Sequence, residues 1–293
     1  MPKRLLVLLQ LTLMLLPVGA THRALLVGVG NYPPNSGWPR LNSANDIALL
    51  EPEMQQHGIE VTTLLDAQAT KAGIVKAIKH LTRQSRPGDR VWLHFSGHGQ
   101  QVEDSNGDEN DGLDEAFVPY DAMRYLSKTY HGQNHFTDDD LNPLLVTLRK
   151  QVGPRGEVLV TIDACHSGDS YRDSDEAVVT DTVVGTRRGA SNVLTKNQPY
   201  VRRQPSTPMR ITPLKRSDGY AAVAVLGACQ PDECNYEYTH PSSRRSYGAL
   251  SYTLWEALSR TKQHPRLADI AHWVMRYESF YMRKYQNPHL YEE

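Results

Sequence analysis

Four short apolar runs, separated by stretches of helical spacing, constrain this chain more than any other feature of it. They lie at residues 23–30, 59–65, 91–95 and 157–163. Short runs like these read as strands, and the first, apolar from Ala24 to Val27 and ending in glycines, reads as one buried in a parallel sheet. Between the first two, residues 44–56 put Ile47, Leu50 and Met54 on one helical face, and Gly58 follows as a stop. After Thr70, a candidate cap, Ile74, Ala77, Ile78 and Leu81 form a second stripe. A third helix is expected over about 137–150. A strand follows at 220–226, then helices at 247–260 and about 267–285. Strands alternating with helices predict an α/β fold, a mostly parallel sheet with helices on both faces in three layers.

In such sheets ligand sites lie beyond the carboxyl ends of strands. Two motifs stand there, Ser96-Gly-His-Gly99 after the third run and Asp163-Ala-Cys-His-Ser-Gly168 after the fourth. A cysteine attacks as its thiolate, so it needs an imidazole to take its proton or stabilise its charge. Cys165 is therefore the candidate nucleophile and His98 its base. The glycines beside His98 let the backbone approach a bound peptide, and the amides of Gly99 and Cys165 are candidate oxyanion donors. Each residue taken alone has a plainer reading: Cys165 as a buried small hydrophobe, His98 as a solvated loop side chain. His166 competes for the role of base, but it adjoins the cysteine in the chain and its side chain is expected to diverge.

At 293 residues the chain has room for one large domain or two small ones, and its net charge of −1 gives no sign of a nucleic-acid partner. Lys3 and Arg4 precede an uncharged run over residues 5–18, with Val18 and Ala20 placed for cleavage after Ala20. The run is short for a membrane span and reads as a signal peptide, so the product is expected to be exported, to a periplasm or outside the cell, with no stable span after cleavage. An uncleaved anchor or a buried strand is the alternative. The three cysteines are no disulfide framework; if two pair, Cys229 and Cys234 are near enough, which leaves Cys165 free.

The histidine and cysteine motifs, with Asp114-Glu-Ala-Phe-Val-Pro-Tyr-Asp121 between them, resemble the metacaspases and related bacterial caspase-like cysteine peptidases. The resemblance extends to residues 24–32, 41–46, 226–233 and 247–252, and so covers nearly all of 23–290. It implies a caspase-like fold for residues 21–293. Animal caspases carry Gln-Ala-Cys around the nucleophile and cut after Asp; here Asp163 stands in the place of the glutamine. The resemblance accordingly implies cutting after Arg or Lys. Its pocket acids map onto Asp46 and Asp163, with Ser96 as a neutral lining group and Ser43 near the pocket wall. Two carboxylates suit a guanidinium through charge-assisted bonds. The plainer reading has Asp163 anchoring its own loop and Asp46 at an exposed helix start.

Two charged segments complete the pattern. Residues 103–121 hold eight acids and no Lys or Arg. Crowded carboxylates call for a neutralising partner, and calcium is a candidate although the spacing is not that of an EF-hand. The resemblance points to Asp114, Asp138 and Asp139 as its ligands. A further family ligand falls near Arg172, where Asp169 or Asp173 could substitute; a solvated acidic loop is the alternative. The thiol chemistry itself requires no cofactor. Residues 184–217 hold eight Lys or Arg and no acid, within a Pro- and Ser-interrupted stretch expected to be exposed and mobile. A basic-specific peptidase would find substrate in its own chain there. Self-cleavage is expected between Asp173 and Ser217, dividing the domain into parts 21–173 and 218–293 around a linker at 174–217. An uncut insertion or a lid is the alternative. The whole reads as a cysteine endopeptidase acting on peptides or proteins with Arg or Lys. A catalytically inactive scaffold or calcium-binding module is the other reading.

Overall fold

The computed structural model describes residues 19–107, 109, 112–165, 178–179, 184–185, 187–190, 194, 219–229, 234–261, 265–277 and 286–293. In chain order the elements are β1 (His22–Gly28), α1 (Ser43–Gln56), β2 (Ile59–Leu65), α2 (Lys71–Gln84), β3 (Arg90–Ser96), β4 (Gly99–Glu103), β5 (Leu113–Phe117) and β6 (Phe136–Thr137). Then come α3 (Asp138–Val152), β7 (Glu157–Asp163), β8 (Val178–Val179), β9 (Val184–Gly185), β10 (Ala222–Gly227), β11 (Glu237–Thr239), β12 (Ser246–Gly248), α4 (Ala249–Ser259), α5 (Leu267–Tyr277) and β13 (His289–Glu292).

The apolar runs form one six-stranded sheet in the order β13-β10-β7-β3-β1-β2. Every pairing in it is parallel except that of β13, which closes the edge antiparallel to β10. Alternate side chains of each strand serve two cores. Leu25, Val27, Leu93, Phe95, Val158 and Val160 pack under α2 and α3. Ala24, Leu26, Trp92, Leu159 and Leu226 pack under α1, α4 and α5. Two covered faces explain why β1, β3 and β7 are mostly apolar, whereas the edge strand β2 carries Glu60, Thr62 and Thr63 and is only partly buried; the three-layer α/β architecture expected from the sequence is the one observed.

Several short elements carry no period legible in the sequence. Strands β4, β5 and β6 form a separate antiparallel sheet beside the rim, and β11 pairs with β12 as a hairpin. The helix expected over 247–260 starts later, at Ala249, because Tyr247 pairs with Tyr238 and the Gly248 amide bonds Asp46 instead of entering a helical turn. Of the final helix, residues 278–285 lie outside the described residues. So do residues 1–18 of the expected signal peptide. Among the described residues no helix is long and apolar enough to cross a membrane.

Candidate active site

Strands β3 and β7 are paired in register so that Ser96 faces Asp163. His98 and Cys165 each stand two residues beyond that pair, at the same rim, and both are fully buried. The His98 backbone is tied at both ends: its N–H donates to the Tyr32 hydroxyl at 3.1 Å, and its carbonyl accepts from Val118 N at 2.9 Å. Its ring stacks on Trp38, with centroids 4.9 Å apart, and lies 5.4 Å from Tyr32. Nε2 lies 2.9 Å from the carbonyl oxygen of Pro39. A carbonyl only accepts, so Nε2 bears the proton and Nδ1 is the nitrogen with a lone pair. Pro39 is thus a third member of the constellation. A backbone carbonyl leaves no trace in side-chain identity, so the sequence reading had no signal for it.

What lies against Cys165 and Gly99 is the chain itself. The carbonyl oxygen of Arg188 accepts from Gly99 N at 3.1 Å and from Cys165 N at 3.0 Å. These are the two amides marked in the sequence as oxyanion donors, and they converge on one atom. On one side of that carbonyl, Arg188 N donates to the Asn235 carbonyl at 3.0 Å, and Arg187 bridges Tyr236 antiparallel. On the other, Gly189 bridges Gly99 in parallel fashion, and Ala190 N donates to the Gly99 carbonyl at 3.1 Å. Farther on, Leu194 N donates to the Gln101 carbonyl at 2.9 Å. The 187–190 segment is therefore held between two walls by single bridges at Arg187 and Gly189, on either side of a bend at Arg188. This corrects the expectation of an exposed linker: Arg188, Gly189, Ala190 and Leu194 are all buried, because each finds backbone partners along β4 or before β11. Most of the remainder of 166–218, including His166, Asp169, Arg172 and Asp173, lies outside the described residues.

The Arg188 side chain drops into an acidic socket with no solvent exposure. Its Nη2 donates to Asp46 Oδ2 at 2.7 Å and to Glu237 Oε1 at 3.2 Å. Nη1 donates to Ser96 Oγ at 2.9 Å and to the backbone carbonyl of Asp163 at 3.2 Å, and lies 3.6 Å from Asp163 Oδ1. Asp46, Ser96 and Asp163, picked from the sequence, thus share one guanidinium. Glu237 joins them from β11 and was missed; its carboxylate is fixed by Asn42 N at 2.6 Å and Asn42 Nδ2 at 2.7 Å. The Asp163 carboxylate also ties down distant chain, accepting from Asn235 Nδ2, Ser251 N and Ser251 Oγ. Asp46 is no exposed helix start, being fully buried. Ser43 opens α1 fully buried, and among the described residues its hydroxyl has no hydrogen-bond partner; it does not bond the guanidinium.

Gly248 forms another wall. Its amide donates to Asp46 Oδ1 at 2.8 Å, and a Cβ on it would stand 2.0 Å from Asp163 Oδ2 and 2.7 Å from Arg188 Cζ. Only a residue without a side chain leaves the socket open. Burial pushes Asp46 up to about 6, against the pull of Arg188. Burial would raise Asp163 too, but Arg188, Asn235 and Ser251 outweigh it and hold that carboxyl below its usual range. The guanidinium resists the cost of burial through Asp46, Asp163 and Glu237, which keep it charged. Beneath the socket, burial lowers His94 to about 4, so it is neutral near pH 7, with Nδ1 2.8 Å from Thr161 Oγ1.

Cys165, Cys229 and Cys234 are all free thiols, so the pairing of Cys229 with Cys234 that the sequence allowed is not formed. Cys234 is instead hydrogen-bonded to the side chain of Cys165, and that bond together with burial holds its thiol well above the ordinary range.

The acidic segment contributes Glu103 to β4 and residues 113–117 to β5. Asp104 collects the amides of Asn106, Gly107 and Glu109, Asp139 accepts from Asn106 Nδ2 at 2.7 Å, and Lys71 pairs with Asp140 at 2.6 Å. Asp114 and Asp138 are buried, and burial with Asp139 and Glu109 nearby pushes Asp138 up to about 7. Among the described residues no group of three or more His, Cys, Asp or Glu is gathered to hold a metal ion. The described donors by themselves therefore do not make up a calcium site; Asp108 and Asp111 lie outside the described residues.

A family model described as caspase domain matches residues 21–292. The chain is 33% identical over 157 residues to a protein named metacaspase-1B from Neurospora crassa, an alignment covering 50% of this chain and 34% of that one. It is 32% identical over 159 residues to a metacaspase-1 from Ajellomyces capsulatus, covering 51% and 41%. The alignments thus span well under half the length of these curated relatives. Among solved structures, a Geobacter sulfurreducens protein, GSU0716, superposes with a TM-score of 0.60 at 21% identity, over 93% of each chain. That likeness speaks for the fold.

Proposed function

The chain belongs to the caspase-domain family, and on that footing we propose that it is a cysteine endopeptidase hydrolysing peptide bonds after Arg or Lys. The observation that carries this reading is the double engagement of Arg188. One residue has its carbonyl oxygen on the amides of Gly99 and Cys165 and its guanidinium among Asp46, Ser96, Asp163 and Glu237. Its side chain stands in for that of the substrate residue before the scissile bond, and its carbonyl for the one under attack.

In the reaction we infer, the thiolate of Cys165 attacks the carbonyl carbon. His98, its Nε2–H fixed by Pro39, takes up the thiol proton on Nδ1 and returns it to the departing amine. The Gly99 and Cys165 amides stabilise the oxyanion as it forms, and water then releases the acyl group from sulfur. Neither step calls for a metal. Specificity follows from burying a cation among three carboxylates, which an uncharged side chain would leave unpaired. Lysine carries the charge but lacks the planar fork that spans Asp46, Ser96 and Glu237, so arginine is the better substrate. Self-processing within the basic segment and export after removal of residues 1–20 belong to the same reading.

The test is a panel of fluorogenic peptides ending in Arg, Lys, Asp or citrulline, run on the wild type and on Cys165→Ala. Turnover of Arg and Lys peptides by the wild type only is the expected result. No turnover of any peptide, with or without calcium, supports the inactive scaffold instead.

A further inference from the structure

Resting on the reading above, the geometry points to one bond, Arg188–Gly189, as the chain's own substrate, and to the 187–190 segment as the plug that closes the site until that bond is cut. Eight basic residues lie between positions 184 and 217, and a pocket for Arg or Lys does not by itself choose among them. Two observations do. The first is that Arg188 is already seated, as the polar contacts of its carbonyl and guanidinium show. The second concerns the far side of the bond. A Cβ on Gly189 would stand 2.5 Å from the Cys165 carbonyl oxygen and 2.9 Å from Cys165 Cβ. The nearest of these atoms is backbone, which cannot swing aside, so the residue after the cut has to be glycine for the chain to lie this way. Of the eight basic residues, Arg188 alone is followed by glycine; the others precede Arg, Asn, Gln, Ile or Ser.

The cut is a hydrolysis and balances without any further reactant. Cys165 sulfur bonds the Arg188 carbonyl carbon as the bond to Gly189 nitrogen breaks, and the imidazolium proton goes to the new amine. Water then splits the thioester, leaving a carboxylate on Arg188 and a restored thiol. His98 and Cys165 are both fully buried, and Arg188 and Gly189 lie against the backbone and Cβ of Cys165. While Arg188 is seated, a peptide from another chain cannot reach them first, which makes the event intramolecular and, in the wild type, a precondition for cutting anything else.

The purified full-length chain tests this by intact mass and N-terminal sequencing during incubation, with hydrolysis of an Arg peptide followed in parallel. The expected result is a new terminus reading Gly-Ala-Ser-Asn, with a half-time constant across a hundredfold dilution. Peptide hydrolysis should show a lag that ends as this fragment accumulates. Gly189→Ala slows the cut at least tenfold. Arg188→Gln abolishes it and hydrolyses the peptide without a lag, while Arg188→Lys, which keeps the charge, is still cut. A Gly189 terminus in Cys165→Ala, a half-time that scales with concentration, peptide turnover at full rate before any cut, or a Gly189→Ala chain cut as fast as the wild type overturns the proposal. If no variant hydrolyses the peptide, the peptidase reading itself fails. If Arg188→Gln does so but the wild type never yields the Gly189 terminus, the peptidase reading stands and this assignment falls.

Discussion

Replacing Asp46 by Asn asks how much of the preference for arginine rests on one buried charge. Asp46 Oδ2 is the closest acceptor of the guanidinium, at 2.7 Å, and also accepts from Ser96 Oγ at 2.6 Å. Its other oxygen is committed to Gly248 N. An asparagine that keeps the Gly248 bond turns its NH2 toward two donors, so a favourable contact becomes a repulsive one. Breaking a buried ion pair from one side costs about 3–5 kcal/mol, which is roughly a hundred- to a few thousandfold in kcat/KM for an Arg peptide at about 1.4 kcal/mol per decade. The variant is best made in the Arg188→Gln chain, so that the pocket is not filled from within. A citrulline peptide, which keeps the shape and loses the charge, is the control: Asp46→Asn should narrow the Arg-to-citrulline ratio by the same factor. A loss below about fivefold on Arg, or an equal loss on both peptides, would show that Asp46 shapes the pocket without selecting charge.

The same carboxyl gives a pH signature. Burial pushes it up to about 6 while Arg188 pulls it down, and Asp163, Glu237 and Arg188 are the charged groups around it. Protonation removes the charge that binds substrate, and an empty pocket lacks the cation that lowers it. Hydrolysis of Arg peptides should therefore fall as pH drops through about 6 or somewhat above, with KM rising. The citrulline control and the Asp46→Asn chain should lack this limb, and a limb shared by all three assigns it to another group. Gly248→Ala should remove hydrolysis of Arg peptides altogether in a folded protein, since its methyl enters the socket; retained turnover with normal KM refutes the wall assigned to it. Trp38→Ala should lower kcat about three- to tenfold with little change in KM, because the lost stacking contact is the one that orients the His98 ring; a KM effect alone would argue otherwise. Asp138, raised to about 7, is more costly to fold as a charged group than as a neutral one, so its destabilising effect grows as pH rises from about 4 to above 7. Asp138→Asn should thus raise Tm at pH 8 and leave it nearly unchanged at pH 4. A lower Tm at pH 8 in calcium, absent in chelator, would instead place a cation at this carboxylate.

The sequence by itself determined the layers and the rim. Apolar runs such as 91–95 and 157–163 have one physical use, a strand with both faces covered, and His98 and Cys165 follow from them as residues just past strand ends. Asp46 was legible only through its place in a resemblance, since an aspartate in the first turn of a helix is ordinary. Glu237, Gly248, Asn235 and Pro39 were not legible at all. Each acts across a long stretch of chain or through a backbone atom, as when Gly248 meets Asp46 across 202 residues or Asn235 holds Asp163 across 72. Composition also misread residues 188–190, because a basic, Pro-rich segment looks solvated until it is seen that a three-carboxylate socket and two free strand edges await it. Periodicity reports how much of a side chain is covered. Only the tertiary structure decides by what, and at this rim the covering chain is the protein's own arginine.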